Sequence, residues 1–323
     1  MSTLTPTKGL SRDDPMADRS VCLGTHAHPL EGESAVLLAP RSALFVPASS
    51  EKKIRRSVEL HADLVIVDLE DAVADDEKET AREILEKTVA SIPSPHLRPI
   101  VIRVNQPGTN DYAEDLRLIH RLPVDGVVVP KVESAETIER VRRDISVGYD
   151  RERIIIAGIE SVRGVAAAQE IFAAGVSCAY FGSEDLVADL GGRRRSDSQE
   201  VLFARSKVRL DAHLHGVPLI DQAFLAVHDD AGFRSDAALA IDLGYSGKIC
   251  LHPSQVLLAN ELFSPSSEEI AHARQVLAAA QGGVGLLNGE MVDAVHKKMA
   301  EQTLQRAGQL TIDGEQATFS TLD

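Results

Sequence analysis

The sequence predicts an α/β fold, a (β/α)8 TIM barrel with a C-terminal helical extension. Eight short apolar runs, many rich in β-branched residues, recur between residues 42 and 253 and alternate with helical stretches. The runs are apolar almost throughout rather than at alternate positions, as expected for parallel strands covered on both faces. Eight strand–helix units within about 210 residues match the usual size of this barrel.

The predicted strands occupy, in chain order, residues 42–48, 64–70, 99–105, 126–132, 154–160, 178–184, 217–223 and 247–253. Helical periodicity characterises the intervening stretches EKKIRRSVEL, EKETAREILEKTVA, AEDLRLIHRL, SAETIERVRRDI and VRGVAAAQEIFAAG. A doubly wound open sheet is the rival fold. The count of eight strands and the lack of a glycine-rich fingerprint after the first strand disfavour it.

The two ends of the chain lie outside the repeating pattern. Residues 1–38 are rich in Ser, Thr, Pro, Gly and Asp without sustained periodicity, which predicts a flexible N-terminal extension. We expect the barrel to span residues 39–260 and a helical extension to span residues 261–323. In the extension, Ser264, Pro265 and Ser266 are expected to cap the first helix.

Composition restricts the classes of partner. The formal net charge of −15 disfavours nucleic-acid binding, which draws its affinity from Lys and Arg. An anionic ligand would need a local patch of positive charge. The cysteines have no metal-type spacing and fit a reducing compartment. Because no apolar stretch is long enough to cross a bilayer or to form a signal peptide, we expect a cytoplasmic protein with no membrane partner.

Charged and polar residues end nearly every predicted strand. In this fold the carboxyl ends of the strands carry the active site, and a ring of such groups is hard to explain by stability alone. The residues of this rim are Asp68, Glu70, Asp71, Arg103, Asn105, Lys131, Glu133, Glu160, Glu184, Asp185, Asp221, Lys248 and His252.

Glu160 and Asp185 end the neighbouring fifth and sixth strands. Two carboxylates with few other hard ligands nearby suit Mg²⁺, which keeps several waters or substrate oxygens. Alternatively, each carboxylate caps the helix that follows it. Spacing alone leaves open whether this is a metal pair or two helix caps.

Arg103 and the carboxylates Asp68, Glu70 and Asp71 end the third and second strands. The planar guanidinium of Arg103 is suited to holding a carboxylate or polarising an oxygen, or else it forms a salt bridge to Glu70 or Asp71. The clustered carboxylates either raise one another's pKa and supply a general base, or orient Arg103 and Lys131. These alternatives are open at this point.

Positive charge opens the predicted first helix, at Lys52, Lys53, Arg55 and Arg56. Cations there oppose the helix dipole unless an anion binds, and this misfit indicates a phosphate-binding site. The arginine run at 193–195 is either another phosphate contact or part of a solvated loop.

A set of motifs recurs in a fixed order between residue 40 and about residue 305. They are RSALFVPA (41–48), DLVIVDLEDAV (63–73), VIRVNQPGT (101–109), VVVPKVES (127–134), AGIESVRG (157–164), YFGSEDLVADLGGRR (180–194), GVPLIDQ (216–222), LGYSGKICLHPSQV (243–256), FSPSSEEIAHA and NGEMVDAV (288–295). In these motifs the chain resembles the citrate lyase β-subunit-like group of the HpcH/HpaI aldolase/citrate lyase superfamily, the malyl-/citramalyl-CoA lyase-like CoA-ester lyases.

The resemblance implies a metal site. Glu160 of IESVRG and Asp185 of GSEDL match the Mg²⁺ ligands of the family, with Mn²⁺ as the other candidate ion. Arg103 of RVN matches the arginine at the oxo-acid or hydroxyl oxygen. Ser161 stands where relatives have Thr and keeps the hydroxyl.

The resemblance also implies CoA contacts and an oligomer. Arg41 and the helix-start lysines, Lys52 among them, match positions associated with CoA. Ala48 stands where relatives often have glycine. Asp293 of NGEMVD matches an acidic residue that a neighbouring subunit brings to the active site in relatives, and the family forms homo-oligomers, typically trimers or hexamers.

The function implied by the resemblance is that of a Mg²⁺-dependent carbon–carbon lyase. It would cleave or form a 3-hydroxyacyl-CoA ester such as malyl-, citramalyl- or citryl-CoA, giving an acyl-CoA and a 2-oxo acid. Asp68 and Glu70 are candidates for the base, Arg103 would stabilise developing charge on oxygen, and Asp293 would exchange a proton with the enolate carbon.

Three alternatives stand beside the lyase. The first is a CoA-thioester hydrolase on the same scaffold, and the second is a citrate lyase β subunit that acts on an acyl-carrier-protein thioester. The third is a catalytically silent binding protein, which the intact set of Arg103, Glu160 and Asp185 disfavours.

Overall fold

The computed structural model describes residues 39–92, 98–147, 152–308, 310–313 and 316–319. The expected N-terminal extension, residues 1–38, lies outside the described residues. In the described part, eight parallel strands form a closed barrel in the order of the chain. The (β/α)8 fold predicted from the sequence is therefore confirmed.

Each predicted apolar run contains one barrel strand. The strands are β1 (Ser42–Pro47), β2 (Leu64–Asp68), β3 (Ile100–Arg103), β4 (Gly126–Val129), β5 (Ile154–Ile159), β6 (Cys178–Phe181), β7 (Leu219–Asp221) and β8 (Gly247–Cys250). Strands β1 and β8 pair in parallel, with Ala43 opposite Ile249, and this pairing closes the barrel.

One helix follows each strand, except that two helices follow β6. The helices around the barrel are α1 (Glu51–Glu59), α2 (Lys78–Ala90), α3 (Asn110–Ile119), α4 (Ala135–Ser146), α5 (Val162–Ala173), α6 (Ser183–Asp189), α7 (Leu202–Leu214), α8 (Asp230–Leu243) and α9 (Pro253–Leu262). A 3-10 turn, Asp75–Glu77, precedes α2.

Hydroxyl side chains fix where several of these helices begin. The Ser50, Ser134 and Ser161 side chains each accept a hydrogen bond from a backbone N–H in the first turn of α1, α4 and α5, respectively. Such caps satisfy N–H groups that have no partner within the helix. They also fix the direction in which the chain leaves the carboxyl rim of the barrel.

Alternation along the strands divides the core into two layers. Residues such as Ile66, Val101 and Ile156 share one cluster inside the barrel. Their neighbours Val65 and Ile102 belong to the larger cluster between the barrel and the helices. Because successive side chains point to opposite faces of a strand, this division decides which strand-end residues point toward the barrel axis.

The C-terminal part follows α9, which packs against β1 and β8. It contains α10 (Ser267–Ala279), a hairpin of β9 (Gly285–Leu287) and β10 (Glu290–Val292), α11 (Ala294–Arg306), and a hairpin of β11 (Leu310–Asp313) and β12 (Gln316–Phe319). The sequence interpretation foresaw the helices but not the hairpins. Ser266 caps α10 in a capping box with Glu269, as predicted. Val276, Val292 and Leu304 belong to a separate small apolar cluster.

The helices of the described ranges are not suited to crossing a membrane. Within the described ranges, no helix combines the length and the apolar character that a membrane span needs.

Candidate functional site

Strand alternation brings three of the predicted site residues to the inside of the carboxyl rim. Asp68 follows Ile66 at a spacing of two on β2, and Arg103 follows Val101 in the same way on β3. Glu160 comes directly after β5 on the face of its inward residues. Since Ile66 and Val101 lie in the interior cluster, the charged side chains lie above it, at the mouth of the barrel.

Arg103 is held by a bidentate pair with Asp68. Its Nε and Nη2 atoms donate to the two carboxylate oxygens of Asp68 at 2.7 and 2.5 Å, and Nη1 lies 3.1 Å from Oε2 of Glu70. The guanidinium carbon lies 5.1 Å from the centre of the Phe45 ring. Burial opposes the charge of Arg103, but the hydrogen bond to Asp68 and the charges around the guanidinium together outweigh burial and raise the pKa of Arg103 above its ordinary value. Arg103 is therefore a fixed cation.

Glu70 is a buried carboxyl between two cations. Its Oε1 atom accepts a hydrogen bond from Nζ of Lys131 at 2.6 Å, and Nη1 of Arg103 lies 3.1 Å from its Oε2 atom. Burial raises the pKa of Glu70 to about 7, because its effect is larger than the opposite effect of the cations Arg103 and Lys131. A carboxyl that titrates near neutral pH can act as a general base.

Lys131 links the carboxylates of three elements. In addition to Glu70, its Nζ atom lies 3.2 Å from Asp71 and 3.6 Å from Asp185. Its backbone is left-handed, with φ at 48°. Residues other than glycine rarely adopt this conformation, and those that do are often found at functional sites. In this conformation the backbone N–H of Lys131 donates to Oε1 of Glu160 at 2.8 Å.

Glu160 is almost fully buried and is held from one side. Its Oε1 atom accepts hydrogen bonds from the N–H of Lys131 and from the hydroxyl of Tyr180, both at 2.8 Å. Burial raises the pKa of Glu160. Two glycines leave it room, because a Cβ atom on Gly182 would lie 2.5 Å from its Oε2 atom and one on Gly158 would lie 2.8 Å from Oε1. In the described part of the chain, every hydrogen bond to Glu160 ends on Oε1.

Asp185 stands in the first turn of α6 and is half-exposed, with 38% of its side chain accessible. The helix dipole favours a carboxylate at this position. The alternative in which Glu160 and Asp185 cap helices is wrong. The cap of α5 is Ser161, and α6 begins after Gly182 without a side-chain cap.

The residues present fit a hard divalent cation. Glu160 offers an oxygen without a hydrogen bond, and the charge of Asp185 is close enough to raise the pKa of Glu160 further. No group of three or more His, Cys, Asp or Glu side chains suited to a metal is found among the described residues. Two carboxylates without a protein cage leave coordination positions for waters and substrate oxygens, an arrangement typical of Mg²⁺.

The expected CoA residues lie at different ends of the barrel. Arg41 precedes β1 at its amino end, where its Nε and Nη2 atoms donate to Asp63 at 2.7 and 2.8 Å and Nη1 donates to Ser264. The structure therefore does not bring Arg41 to the rim that carries Glu160. Lys52 lies exposed in the first turn of α1, on the rim side.

Asp293 is not brought to the rim within one chain. It caps α11, where its Oδ1 atom accepts from the N–H of Val295 at 2.9 Å and lies 2.8 Å from Nδ1 of His296. The hydrogen bonds from His296 and from the backbone lower the pKa of Asp293, whose side chain is half-exposed.

Asp221 and Lys248 do not belong to the rim, and their placement there was wrong. Their direct neighbours Ile220 and Ile249 point into the barrel, so Asp221 and Lys248 point outward and are fully buried between the barrel and its helices. Asp221 binds Arg205 of α7 with both oxygens at 2.7 Å, and Nζ of Lys248 donates to Asp221 and to Asp236 of α8, each at 2.6 Å. This cluster joins β7 and β8 to their covering helices, and within the described ranges no hydrogen bond or ion pair connects it to the groups around Glu160.

The arginine run after β6 is largely paired. Arg194 donates to Glu184 at 2.7 Å and also to Glu200, and Arg195 binds Asp197. Asn105, another rim residue, donates to Asp115 and to the carbonyl of Leu69. These groups shape the loops around the site.

Sequence reasoning missed the groups that hold Glu160. Tyr180 lies in a predicted strand and a family motif without an assigned role, but its spacing of two from Cys178 on β6 places it inside the barrel. Gly158 and Gly182 are the other signal, since both occupy inward positions next to a strand-end carboxylate.

Comparison with known proteins places this geometry in a family. A family model described as HpcH/HpaI aldolase/citrate lyase matches residues 41–253. A citrate lyase subunit beta-like protein of Deinococcus radiodurans is 39% identical over 78% of this chain and 92% of its own length. A (3S)-malyl-CoA thioesterase of Cereibacter sphaeroides is 33% identical over 83% of this chain and 94% of its own length.

Solved structures agree with these relatives. The crystal structure of CitE from Mycobacterium tuberculosis in complex with magnesium, acetoacetate and coenzyme A is 34% identical, with a TM-score of 0.72. The match covers 83% of this chain and 97% of that one. RipC from Yersinia pestis is 32% identical, with a TM-score of 0.61 over 71% of this chain and 97% of its own.

Proposed function

The chain belongs to the HpcH/HpaI aldolase/citrate lyase family, and we propose that it is a Mg²⁺-dependent carbon–carbon lyase for a 3-hydroxyacyl-CoA ester. Malyl-, citramalyl- and citryl-CoA are the candidate esters, with an acyl-CoA and a 2-oxo acid as products. The observation that carries the proposal is the convergence of a fixed arginine, Arg103, with the carboxylates Glu160, Glu70 and Asp185 around Lys131 at one rim.

We propose that Glu160 and Asp185 hold the cation, with Mn²⁺ as a possible replacement for Mg²⁺. When bound, the ion supplies Lewis-acid polarisation of substrate oxygens and a template for the acid portion. The exposed side of Asp185 and the Oε2 atom of Glu160 support this assignment. The M. tuberculosis CitE structures, which contain magnesium with acetoacetate or oxaloacetate, are consistent with it.

In the cleavage direction, Glu70 takes the proton of the 3-hydroxyl group. The bond between C2 and C3 then breaks, C3 becomes the carbonyl carbon of the oxo acid, and the electron pair passes to the enolate of the thioester. Arg103 stabilises charge on the developing carbonyl oxygen, and Asp68 keeps its guanidinium in place. The raised pKa of Glu70, about 7, supports the role of base at neutral pH.

Asp293 completes the proton transfers when a neighbouring subunit of a homo-oligomer, a trimer or hexamer, brings it to the rim. It protonates the enolate carbon in cleavage and removes that proton in condensation. In the single chain its lowered pKa suits the acceptor role. Burial against another subunit would raise the pKa and make it a donor.

Lys52 is the proposed contact for a CoA phosphate. It is an exposed cation at the start of α1, where backbone N–H groups also favour an anion. Because the chain carries a net charge of −15, a local patch of this kind is needed to attract CoA. Arg41 has no part in this proposal, since Asp63 holds it at the other end of the barrel.

Product analysis tests the proposal. The protein is incubated with Mg²⁺ and each of the three candidate thioesters, and 2-oxo acid, acyl-CoA, free CoA and free hydroxy acid are measured. A lyase gives equal amounts of oxo acid and acyl-CoA, and EDTA stops the reaction. Full activity in the presence of EDTA would refute the proposed metal-dependent reaction.

Thioester hydrolysis is the second candidate function, because the Cereibacter sphaeroides relatives are named (3S)-malyl-CoA thioesterase. In that reaction Glu70 or Asp293 would activate water, and free hydroxy acid and CoA would form without oxo acid. A third candidate is a citrate lyase β subunit, the name of a relative from Escherichia coli that is 33% identical. An acyl-carrier-protein thioester in the same panel would distinguish it.

A further inference from the structure

We propose that Tyr180 is a positioning residue for the metal site, because its hydroxyl fixes Glu160 so that the Oε2 atom faces the cation. The inference rests on the proposed function, in which Glu160 is a metal ligand. It adds a residue of the barrel interior that does not itself touch the cation.

The contact is direct and lies entirely inside the barrel. Tyr180 is 2% exposed, and its hydroxyl donates to Oε1 of Glu160 at 2.8 Å. The ring packs edge-to-face on Phe45 with the ring centres 6.0 Å apart. A buried hydroxyl that loses its acceptor leaves an unsatisfied polar group, so the ring and the carboxylate hold each other in place.

The strand that carries Glu160 is built to admit this hydroxyl. A Cβ atom on Gly158 would lie 2.4 Å from the hydroxyl oxygen of Tyr180, 2.6 Å from its Cζ atom and 2.8 Å from Oε1 of Glu160. Any larger residue at position 158 would occupy the place where the phenol meets the carboxylate. Glycine at this position is therefore a requirement of the contact.

Two donors on one oxygen determine which oxygen is left for the ion. The hydroxyl of Tyr180 and the N–H of Lys131 both reach Oε1, so a rotation of the carboxylate would break both bonds. Groups that orient a ligand in this way typically contribute about 10- to 100-fold to metal affinity. We therefore expect the Tyr180 hydroxyl to raise the affinity for a divalent cation by about tenfold.

The test uses Tyr180→Phe in the full chain, with Mn²⁺ binding measured from the EPR signal of the free ion. We expect the Kd for Mn²⁺ to rise about tenfold. Tyr245→Phe is the matched control. Tyr245 is also buried, and its hydroxyl donates to the carbonyl of Arg205 at 2.8 Å, away from Glu160. The control should bind Mn²⁺ like the wild type.

A second variant approaches the same contact from the other side. Gly158→Ala keeps the hydroxyl and crowds its bond to Glu160, so it should also weaken Mn²⁺ binding. A spectroscopic signature completes the test, because the chain has four tyrosines and no tryptophan. Addition of Mg²⁺ should perturb the near-ultraviolet tyrosine spectrum in the wild type and in Tyr245→Phe but not in Tyr180→Phe.

The outcomes separate this inference from the proposed function. Unchanged Mn²⁺ affinity in both Tyr180→Phe and Gly158→Ala overturns the positioning role, while the metal site itself stands if Asp185→Asn abolishes binding. A wild-type protein that binds no Mn²⁺ overturns both. Weakened binding in Tyr180→Phe with an unaffected control supports the inference.

Discussion

The charged cluster between β7, β8 and their helices provides a quantitative test of the fold. Arg205, Lys248 and Asp221 are completely buried, and Asp236 is nearly so. Two cations face two carboxylates, so the cluster is neutral as long as every member is present. Asp221 binds both cations and is therefore the member on which the cluster depends most.

We predict that Asp221→Asn destabilises the protein by about 3–5 kcal/mol, the range for removing one partner of a buried ion pair. The substitution keeps the shape of the side chain but leaves a buried positive charge, and it turns an amide donor toward groups that also donate. For a domain of this size the expected fall in melting temperature is about 10 °C.

The assay is urea unfolding of the wild type and the variant, followed by circular dichroism. Glu261→Gln is the control, because Glu261 also pairs with an arginine, Arg234, but both side chains are exposed at 61% and 43%. An exposed pair contributes little to stability because water screens it, so this control should unfold at nearly the same urea concentration as the wild type. Because Asp221 points away from the rim, the folded variant should keep the wild-type kcat.

Two results would refute this reasoning. A loss of less than about 1 kcal/mol would place Asp221 among ordinary surface pairs. A variant of normal stability with a strongly reduced kcat would indicate that Asp221 acts in the active site, as the sequence pattern predicts.

The remaining predictions concern the rim. Asp185→Ala should abolish Mg²⁺-dependent turnover and Mn²⁺ binding by EPR while the circular dichroism spectrum stays unchanged, and activity without added metal would contradict this. Arg103→Lys loses the planar fork that Asp68 holds, so kcat should fall about 10²- to 10³-fold with little change in the Kd for Mn²⁺; an unchanged kcat would exclude Arg103 as the oxygen-binding group. Glu70 must be deprotonated to act as a base, so kcat/KM should fall as the pH drops below about 7, and Glu70→Gln should lower kcat/KM about 10²- to 10⁴-fold and remove this acid limb from the pH profile. If Asp293 acts on a neighbouring subunit, mixing the inactive variants Asp293→Ala and Asp185→Ala after dissociation and reassembly should restore part of the activity, and inactive mixed oligomers would place Asp293 elsewhere.

The position of Lys131 explains why the rim holds so many carboxylates together. Its ammonium lies among Glu70, Asp71 and Asp185, while its backbone N–H holds Glu160. Burial opposes the charge of Lys131, but the hydrogen bond to Glu70 and the neighbouring carboxylates raise its pKa above the ordinary value. Lys131 therefore offsets the charge of Glu70, Asp71 and Asp185 with its ammonium and orients Glu160 with its backbone N–H. Its left-handed backbone after β4 is the conformation in which these contacts form.

The sequence by itself determined the barrel and the order of its eight strands. A parallel strand covered on both faces needs a continuous apolar run, and each of the eight runs contains a strand. The motifs supplied the family, and strand order placed Asp68, Arg103 and Glu160 at one end of the molecule. Apolar runs, motifs and strand order are properties of neighbouring residues or of their order in the chain, so they can be predicted from the sequence alone.

Only the tertiary structure decided which strand-end residues meet. The sequence pattern assigned Asp221 and Lys248 to the same rim as Asp68 and Arg103, but they lie on the opposite face of their strands, and a shift of one residue reverses the face. The bond between Glu70 and Lys131 joins positions 61 residues apart, and the hydroxyl of Tyr180 reaches Glu160 from a different strand. The closure of the barrel, which sets the register between strands, is what brings these groups together.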